Sequence, residues 1–308
     1  MNDVNLEQGT LKAVTYVGTY DSGEVEFYKV EEKSVLTVNG AKYIPFYSPD
    51  ERRKEYPAVN LYKDGKIKSL ALQEPQKFET KAGTFSAEKV LFYEDGSIKR
   101  LFPLDGQITG YWSEDDEYTL AKEHTFKFPF GEFTAKVISI YFYNSGEIKS
   151  LTLWAKEKIN IKAYDYQIEV RNGISFYQDG KIKSLEPAFP IVLNTKIGQI
   201  KCFDKNAVGI SGDINSVSFN QDGSIKSVIT GTNVIEVYQD GKLVNAHSPR
   251  EEQVMAMSDE KELITVKLEF DNDILIIDNV YNYEFDKYTF KVKRYGNKLT
   301  LTGDLLSR

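Results

Sequence analysis

One cysteine, two histidines, two tryptophans and nine prolines occur among 308 residues. Each scarcity removes a class of protein. A single thiol, Cys202, forms no intramolecular disulfide, which suits a reducing cytosol and equally many envelope proteins. His124 and His247 stand far apart in sequence, and no Gly-x-Ser-x-Gly elbow accompanies them. Triads are recognised by geometry rather than order, so both histidines are expected at the surface and no catalytic residues are assigned. No apolar run reaches the ~18 residues of a membrane-crossing helix. Few prolines and no Gly/Ser tract exclude long disordered linkers. With 39 basic against 46 acidic residues the formal charge is −7, which argues against a general nucleic-acid binder.

What the chain has is aromatic residues, 20 Tyr and 18 Phe, and a phrase that returns. It reads LYKDGKIKSL from Leu61, FYEDGSIKRL from Phe92, FYNSGEIKSL from Phe142 and FYQDGKIKSL from Phe176. A looser FNQDGSIKSV starts at Phe219, and VYQDGKLV from Val237 closes the series. Apolar residues two apart precede each turn (Val59/Leu61, Val90/Phe92, Ile140/Phe142, Ile174/Phe176), which places each pair on one face of a strand. The acidic-Gly step then marks a hairpin. Two loops compete: a two-residue type I′ turn on Asp95-Gly96, or a three-residue bulged loop on Glu94-Asp95-Gly96. The bulged loop is favoured because it pairs Phe92 with Ile98 on one face. After the turn Ile and Leu stand three apart (Ile67/Leu70, Ile98/Leu101), so the sheet is either covered on both sides or bends there.

A second signature lies between the phrases. Gly83-Thr84-Phe85-Ser86-Ala87 and Gly131-Glu132-Phe133-Thr134-Ala135 precede two of them, and Gly9-Thr10-Leu11-Lys12-Ala13 precedes a degenerate turn at Asp21-Ser22-Gly23. Thr80-Lys81-Ala82-Gly83 and Thr195-Lys196-Ile197-Gly198 match, each ending 18 residues after a turn glycine. Gly65 to Gly96 gives a unit of 31 residues, and the longer later spacings of 50, 34 and 43 imply inserted loops. Each unit reads as about four short strands that cannot bury their apolar face alone. The fold expected is all-β: an elongated or curved array of stacked β-hairpin repeats with N- and C-terminal caps and one or two short helices. The array spans 59–244, with a cap or degenerate repeat at 1–58 and a second cap at 245–308.

The phrase resembles the MORN-variant repeats of bacteria, and is closest to long-period forms in envelope-associated proteins of spirochaetes and related bacteria. The resemblance covers about 61–244 and rests on Tyr62-Lys63-Asp64-Gly65-Lys66-Ile67-Lys68 and its counterparts. The dense Gly-x-Gly pattern of the eukaryotic form is missing, so a membrane-lipid role does not carry over. The resemblance implies a β-hairpin scaffold and no reaction.

Helix signals occur at Ser48-Pro49-Asp50-Glu51 and Ser248-Pro249-Arg250-Glu251, both capping boxes with Pro at the first helical position. The second predicts a helix through about Met257; the first predicts a turn or two through Lys54. Ser113-Glu114-Asp115-Asp116-Glu117 is a weaker third case. From 262 to 303 the pattern returns to strands.

Candidate sites follow from the repeat. Lys68, Lys99, Lys149, Lys183 and Lys226 recur at one place, as either a site for an anionic polymer or a guard against edge-to-edge aggregation. The latter reading is preferred for an acidic chain. Tyr62, Tyr93, Tyr143, Tyr177 and Tyr238 form a column that either stacks on sugar rings, aided by Trp112 and Trp154 in the insertions, or holds the sheet together. Cys202 reads as a small buried hydrophobe. The acidic run 114–117 and the step Asp271-Asn272-Asp273 lack calcium-loop spacing and read as solvated turns. No cofactor or metal is implied. The function expected is a non-enzymatic scaffold for macromolecular interaction, with specificity in the inserted loops 102–130 and 202–216. The alternatives are glycan binding and an immunity-type or antitoxin-like partner protein. The opening MNDVNLEQGTLKAV has neither a basic nor an apolar leader region. The expectation is a secreted, surface or periplasmic protein whose export signal Met1 replaces, with the cytosol as alternative.

Overall fold

The computed structural model describes residues 2–207, 214–253 and 261–295. The recurring phrase forms a hairpin each time. At Tyr93-Glu94-Asp95-Gly96, the Gly96 N–H donates to the Tyr93 carbonyl and the Tyr93 N–H to the Ser97 carbonyl, both at 2.8 Å. Gly96 sits at φ +80°, a left-handed value that glycine adopts without a Cβ clash. The same pair of bonds closes the turns that start at Tyr20, Tyr62, Tyr143, Tyr177 and Asn220. This is the three-residue bulged loop, and Phe92 pairs with Ile98. The last phrase takes the competing geometry. Gln239 pairs with Lys242 across Asp240 (φ +51°) and Gly241 (φ +76°), left-handed at both central positions as a type I′ turn requires.

The spacing of three between Ile and Leu has a local cause. Leu61 pairs with Ile67 but Asn60 pairs with Ser69, so Lys68 is an unpaired extra residue. Equivalent bulges fall at Lys99, Lys149, Lys183 and Lys226. Each bulge returns Leu to the face that Ile occupies, and the sheet is curved without a break.

The result is a continuous antiparallel meander within an 18-stranded sheet that does not close into a barrel. One row of paired residues runs Val59, Leu70, Val90, Leu101, Ile140 and Leu151, then on through Ile174, Leu185, Val217, Val228 and Leu268. Every one of them is 0% exposed. Hydrogen bonding is uninterrupted at both expected cap boundaries: Val25–Val30 pairs with Val59–Leu61, and Ile225–Thr230 with Val266–Asp271.

The second signature supplies a roof over this row. Gln76–Thr80 pairs back on Gly83–Ala87, Glu123–Phe128 on Gly131–Lys136, Ile159–Ala163 on Tyr166–Val170 and Ile191–Thr195 on Gly198–Cys202. The two Thr-Lys-x-Gly turns are alike in detail: Thr80 and Thr195 each donate from Oγ1 to the glycine carbonyl at 2.7 Å. Each sheet phenylalanine receives a roof aromatic. Tyr43 lies over Phe92, Phe85 over Phe142, Phe128 over Phe176 and Tyr164 over Phe219, with centroids 6.0, 6.3, 4.0 and 5.1 Å apart. In Ile67–Thr80, Gly83–Phe92, Gly131–Phe142 and Tyr166–Phe176 a sheet strand and a roof strand are halves of one bent strand, whereas Ile191–Thr195 with Gly198–Cys202 is a separate hairpin.

Two expected helices are absent. Arg250–Gln253 is a strand paired with Lys261–Ile264, so long-range pairing overrides the capping box there; 254–260 lie outside the described residues. At 48–54 the Asp50 carboxylate captures the N–H groups of Arg52 and Arg53, at 2.9 and 2.6 Å, and makes a turn instead. The one helix among the described residues is the weakest of the three signals, Glu114–Leu120. Its Ser113 and Asp116 complete the reciprocal capping box.

Candidate functional site

The sheet's outer face carries the polar residues of the phrase. Asn60, Ser69, Leu91, Arg100, Tyr141, Ser150, Ser175, Ser184 and Ser218 pair in turn as the row next to the apolar one, with Leu91 its one aliphatic member and Ser69, Ser150, Ser175 and Ser184 buried. Alternation of side chains across the strand puts them opposite the core. Toward the turns, the half-buried tyrosines are linked from unit to unit. Tyr20 donates its hydroxyl to the Leu61 carbonyl, Tyr62 to Phe92, Tyr93 to Phe142, Tyr143 to Phe176 and Tyr177 to Phe219, all between 2.7 and 2.9 Å. Burial raises the hydroxyl pKa of Tyr62, Tyr93 and Tyr177. The bulged lysines lie over these rings: Lys68 over Tyr62, Lys99 over Tyr93, Lys149 over Tyr143 and Lys183 over Tyr177, at 5.4–6.0 Å. The column therefore joins neighbouring hairpins, and its hydroxyls are already engaged. Tyr238 departs from it and donates to Glu236.

At the far ends of the strands, insertions lie on this outer face. Phe46 and Tyr56 pack on Ala58 and Ala71, a small cluster separate from the main core. Arg52 reaches from the first insertion between two buried carboxylates, Glu88 on the sheet and Glu117 on the helix. Glu117 is 2% exposed; it also accepts the Gly106 N–H at 2.8 Å and the Trp112 indole N–H at 2.7 Å. The acidic run is thus a helix whose last glutamate anchors a loop, which corrects the solvated-turn reading. Arg53, 3% exposed, donates to the carbonyls of Leu72 and Gln73, and Lys89 pairs with Asp105 at 3.2 Å.

These bonds stiffen 102–113. The Thr109 N–H donates to the Trp112 carbonyl, and the Thr109 hydroxyl accepts from the N–H groups of Tyr111 and Trp112. The tight turn leaves Tyr111 95% exposed and Ile108 61% exposed. Behind it opens a cleft of about 700 Å³, lined by Leu104, Ile108, Glu117, Trp154, Arg171 and Ala207 among others. Both expected loops, 102–130 and 202–216, thus contribute to one place, although 208–213 fall outside the described residues. Neither tryptophan is a free stacking platform: Trp154 is 7% exposed against Tyr118, and Trp112 is held by Glu117.

The cleft's other wall depends on a second buried charge. Arg171 donates to the carbonyls of Pro187 and Asp204, and Asn172 to that of Ala207. Glu186, 1% exposed, accepts the Ser216 N–H at 2.8 Å while Arg171 stays 3.8 Å away. Because the guanidinium is committed to those carbonyls, burial prevails and pushes the Glu186 carboxyl up to about 7 from 4.5. A folded pKa above the unfolded one means that the native state holds the extra proton. The resulting stability is fully present below about pH 4.5 and is lost as pH rises through about 7. Wild type should lose roughly 3 kcal/mol relative to Glu186→Gln between pH 4.5 and 8. Urea unfolding of both proteins across that range checks it, and parallel profiles would show an ordinary carboxylate.

The remaining candidates are internal. His247 is buried and bonded to the Tyr283 hydroxyl at 2.9 Å, and His124 is half-buried beside Phe85 and Phe126; burial lowers both pKa values. The surface reading of the histidines is corrected, because aromatic neighbours from the same and adjacent hairpins enclose them. Cys202 is fully buried, and burial pushes its thiol up to about 12. Among the described residues no three His, Cys, Asp or Glu side chains gather as a metal site, and no helix is long and apolar enough to cross a membrane. Half-buried Arg52 and Arg171 and buried Glu88 and Glu186 had no place among the sequence candidates, and Glu117 entered only as part of the acidic run. Their signal is a charge at the bend of a strand, as at Glu88 between Ala87 and Val90, where alternation breaks. No protein-family model and no curated protein matches the chain.

Proposed function

We propose that the chain is a non-enzymatic repeat scaffold that binds a protein partner through the 102–113 turn and the adjoining cleft. The observation that carries this is the exposure of Ile108 and Tyr111 on a turn fixed from behind by Arg52, Glu117 and Thr109. Large side chains carried on a fixed backbone beside a concavity save the backbone entropy of ordering on binding and make hot spots. A bacterial envelope setting is part of the proposal through the repeat resemblance alone. Glycan binding by the Tyr column is the weaker reading, since the hydroxyls serve neighbouring hairpins and lysines lie over the rings.

A photo-crosslinking residue at Glu114, on the cleft rim, should give a discrete protein adduct in cells of the native host. The same probe at exposed Lys42, on the roof, should not. Ile108→Ser with Tyr111→Ser should weaken the captured partner about 30-fold or more while leaving the melting temperature unchanged. Equal adducts from both probe positions, or no effect of the double substitution, would overturn the proposal.

A further inference from the structure

Both kinds of turn meet along one edge of the array. A Cβ on Gly96 would strike Asn39, one on Gly180 would strike Pro129 and one on Gly223 would strike Tyr164, within 2.5–2.8 Å. Roof turns therefore lie directly against sheet turns. Between successive roof turns a slot opens, floored by the first residues after a sheet turn. One slot has Glu7 and Asn39 above Lys66 and Ile67, with Glu94 and Asp95 beside them, and measures about 480 Å³. Its counterpart further along has Pro129, Phe130 and Tyr164 above Lys181 and Ile182, with Lys162 at the lip, and measures about 290 Å³. At an intermediate position the Lys81–Glu147 bridge, at 2.9 Å, spans roof and sheet turns.

The second slot has the chemistry of a receptor. Its walls are an aromatic ring, a proline and the aromatic body of Tyr164, and none of its lining residues is acidic. Lys162 is exposed and has no ion-pair partner among the described residues, while the exposed Lys181 ammonium lies 3.7 Å from Asp179 and donates to the Gln221 carbonyl at 3.3 Å. Tyr164 is held at φ +54°, a costly conformation for a bulky residue, with its hydroxyl donated to the Ile182 carbonyl at 2.9 Å. The hydroxyl, which also lies 3.3 Å from the Asn220 carbonyl, keeps the wall upright. An apolar cavity of about 150 Å³ accommodates benzene, so this slot has room for one aromatic side chain and its backbone. A chain entering between two ammonium groups gains from carboxylates on either side of that anchor.

We infer that the slot formed by Pro129, Phe130, Tyr164 and Ile182 takes an aromatic side chain of an acidic peptide segment, with Lys162 and Lys181 pairing its flanking carboxylates. It is separate from the 102–113 turn and stands or falls independently of the proposal made for that turn.

The test is methyl NMR of the full chain, following the Ile182 δ1 resonance during titration with acetyl-Asp-Glu-Phe-Glu-Asp-amide. A saturating shift is expected, with Lys162→Glu and Lys181→Glu each weakening binding at least about threefold and the pair about tenfold. Both side chains are exposed, so the variants keep the fold, and an unchanged melting temperature verifies it. The Ala-for-Phe peptide and the all-lysine Phe peptide should leave Ile182 unmoved. Four results would overturn the inference: no shift at millimolar peptide, equal binding of the Ala peptide, indifference to both charge reversals, or an Ile182 shift that grows with protein concentration alone. The last would identify a second copy of the chain as the occupant.

Discussion

Arg52→Met should cost about 3–5 kcal/mol of unfolding free energy at neutral pH. The guanidinium sits between Glu88 and Glu117, whose side chains are 5% and 3% exposed, and donates to the latter at 2.8 Å. Without it two carboxylates remain buried with no cation beside them, held in place by backbone N–H groups. Glu88 accepts from Asp105 and Glu117 from Gly106, each at 2.8 Å, so neither can swing out without releasing the insertion. A methionine of similar length fills the space, so the loss reports charge rather than a cavity. Two companion results separate this from a packing defect. The deficit should shrink on acidification, as carboxylates deprived of their cation take up protons more readily. The triple variant Arg52→Met, Glu88→Gln, Glu117→Gln should recover most of the loss, because removing a whole buried ionic group is far cheaper than breaking it. Urea unfolding read by tryptophan fluorescence suits the site, since Trp112 is bonded to Glu117. A loss below about 1 kcal/mol would class the cluster with ordinary surface pairs.

The parts of this structure that sequence reveals are those fixed within about ten residues. Period-two apolar pairs and the acidic-Gly step determine each hairpin but not its loop, since Gly96 in the bulged form and Gly241 in the type I′ form both sit at positive φ. The spacing of three from Ile67 to Leu70 is an equally local mark, and its meaning is the bulge at Lys68 rather than a second covered face. Strand neighbours across a connection depend instead on contacts tens of residues apart. So the pairing of Arg250–Gln253 with Lys261–Ile264 defeats a well-formed capping box, while Ser113, free of any such partner, caps a real helix. The tyrosine column was legible as a column. That each hydroxyl reaches the next hairpin's carbonyl follows only once the order of hairpins in the sheet is known. The insertions were legible as places where the period stretches; the charges that fasten them were not, because a break in alternation such as that at Glu88 marks a charge at a strand bend without indicating the distant Arg52 that pairs with it.

Phe176→Ala carries the other large effect, about 3–5 kcal/mol, and its form matters as much as its size. The ring is 0% exposed and stacks on Phe128 at a centroid distance of 4.0 Å, with Phe130 beyond it at 6.1 Å. It belongs to one hairpin and its cover to the roof of another, so truncation opens a void at a joint between units. The Tyr143 bond to the Phe176 carbonyl crosses the same joint and survives, leaving hydrogen bonding without packing. In a stacked array each unit is stabilised by its neighbours, and weakening one joint near the middle loosens the coupling between the two halves. Unfolding of the variant should therefore separate into two transitions. Both tryptophans, Trp112 and Trp154, precede residue 176, so their fluorescence should follow only the N-terminal half, while far-UV circular dichroism follows both. Phe176→Leu, which keeps most of the volume, should lose less than about 2 kcal/mol and remain a single transition. Coincident fluorescence and dichroism curves for Phe176→Ala would show instead that the roof and the continuous apolar row bind all units into one cooperative core.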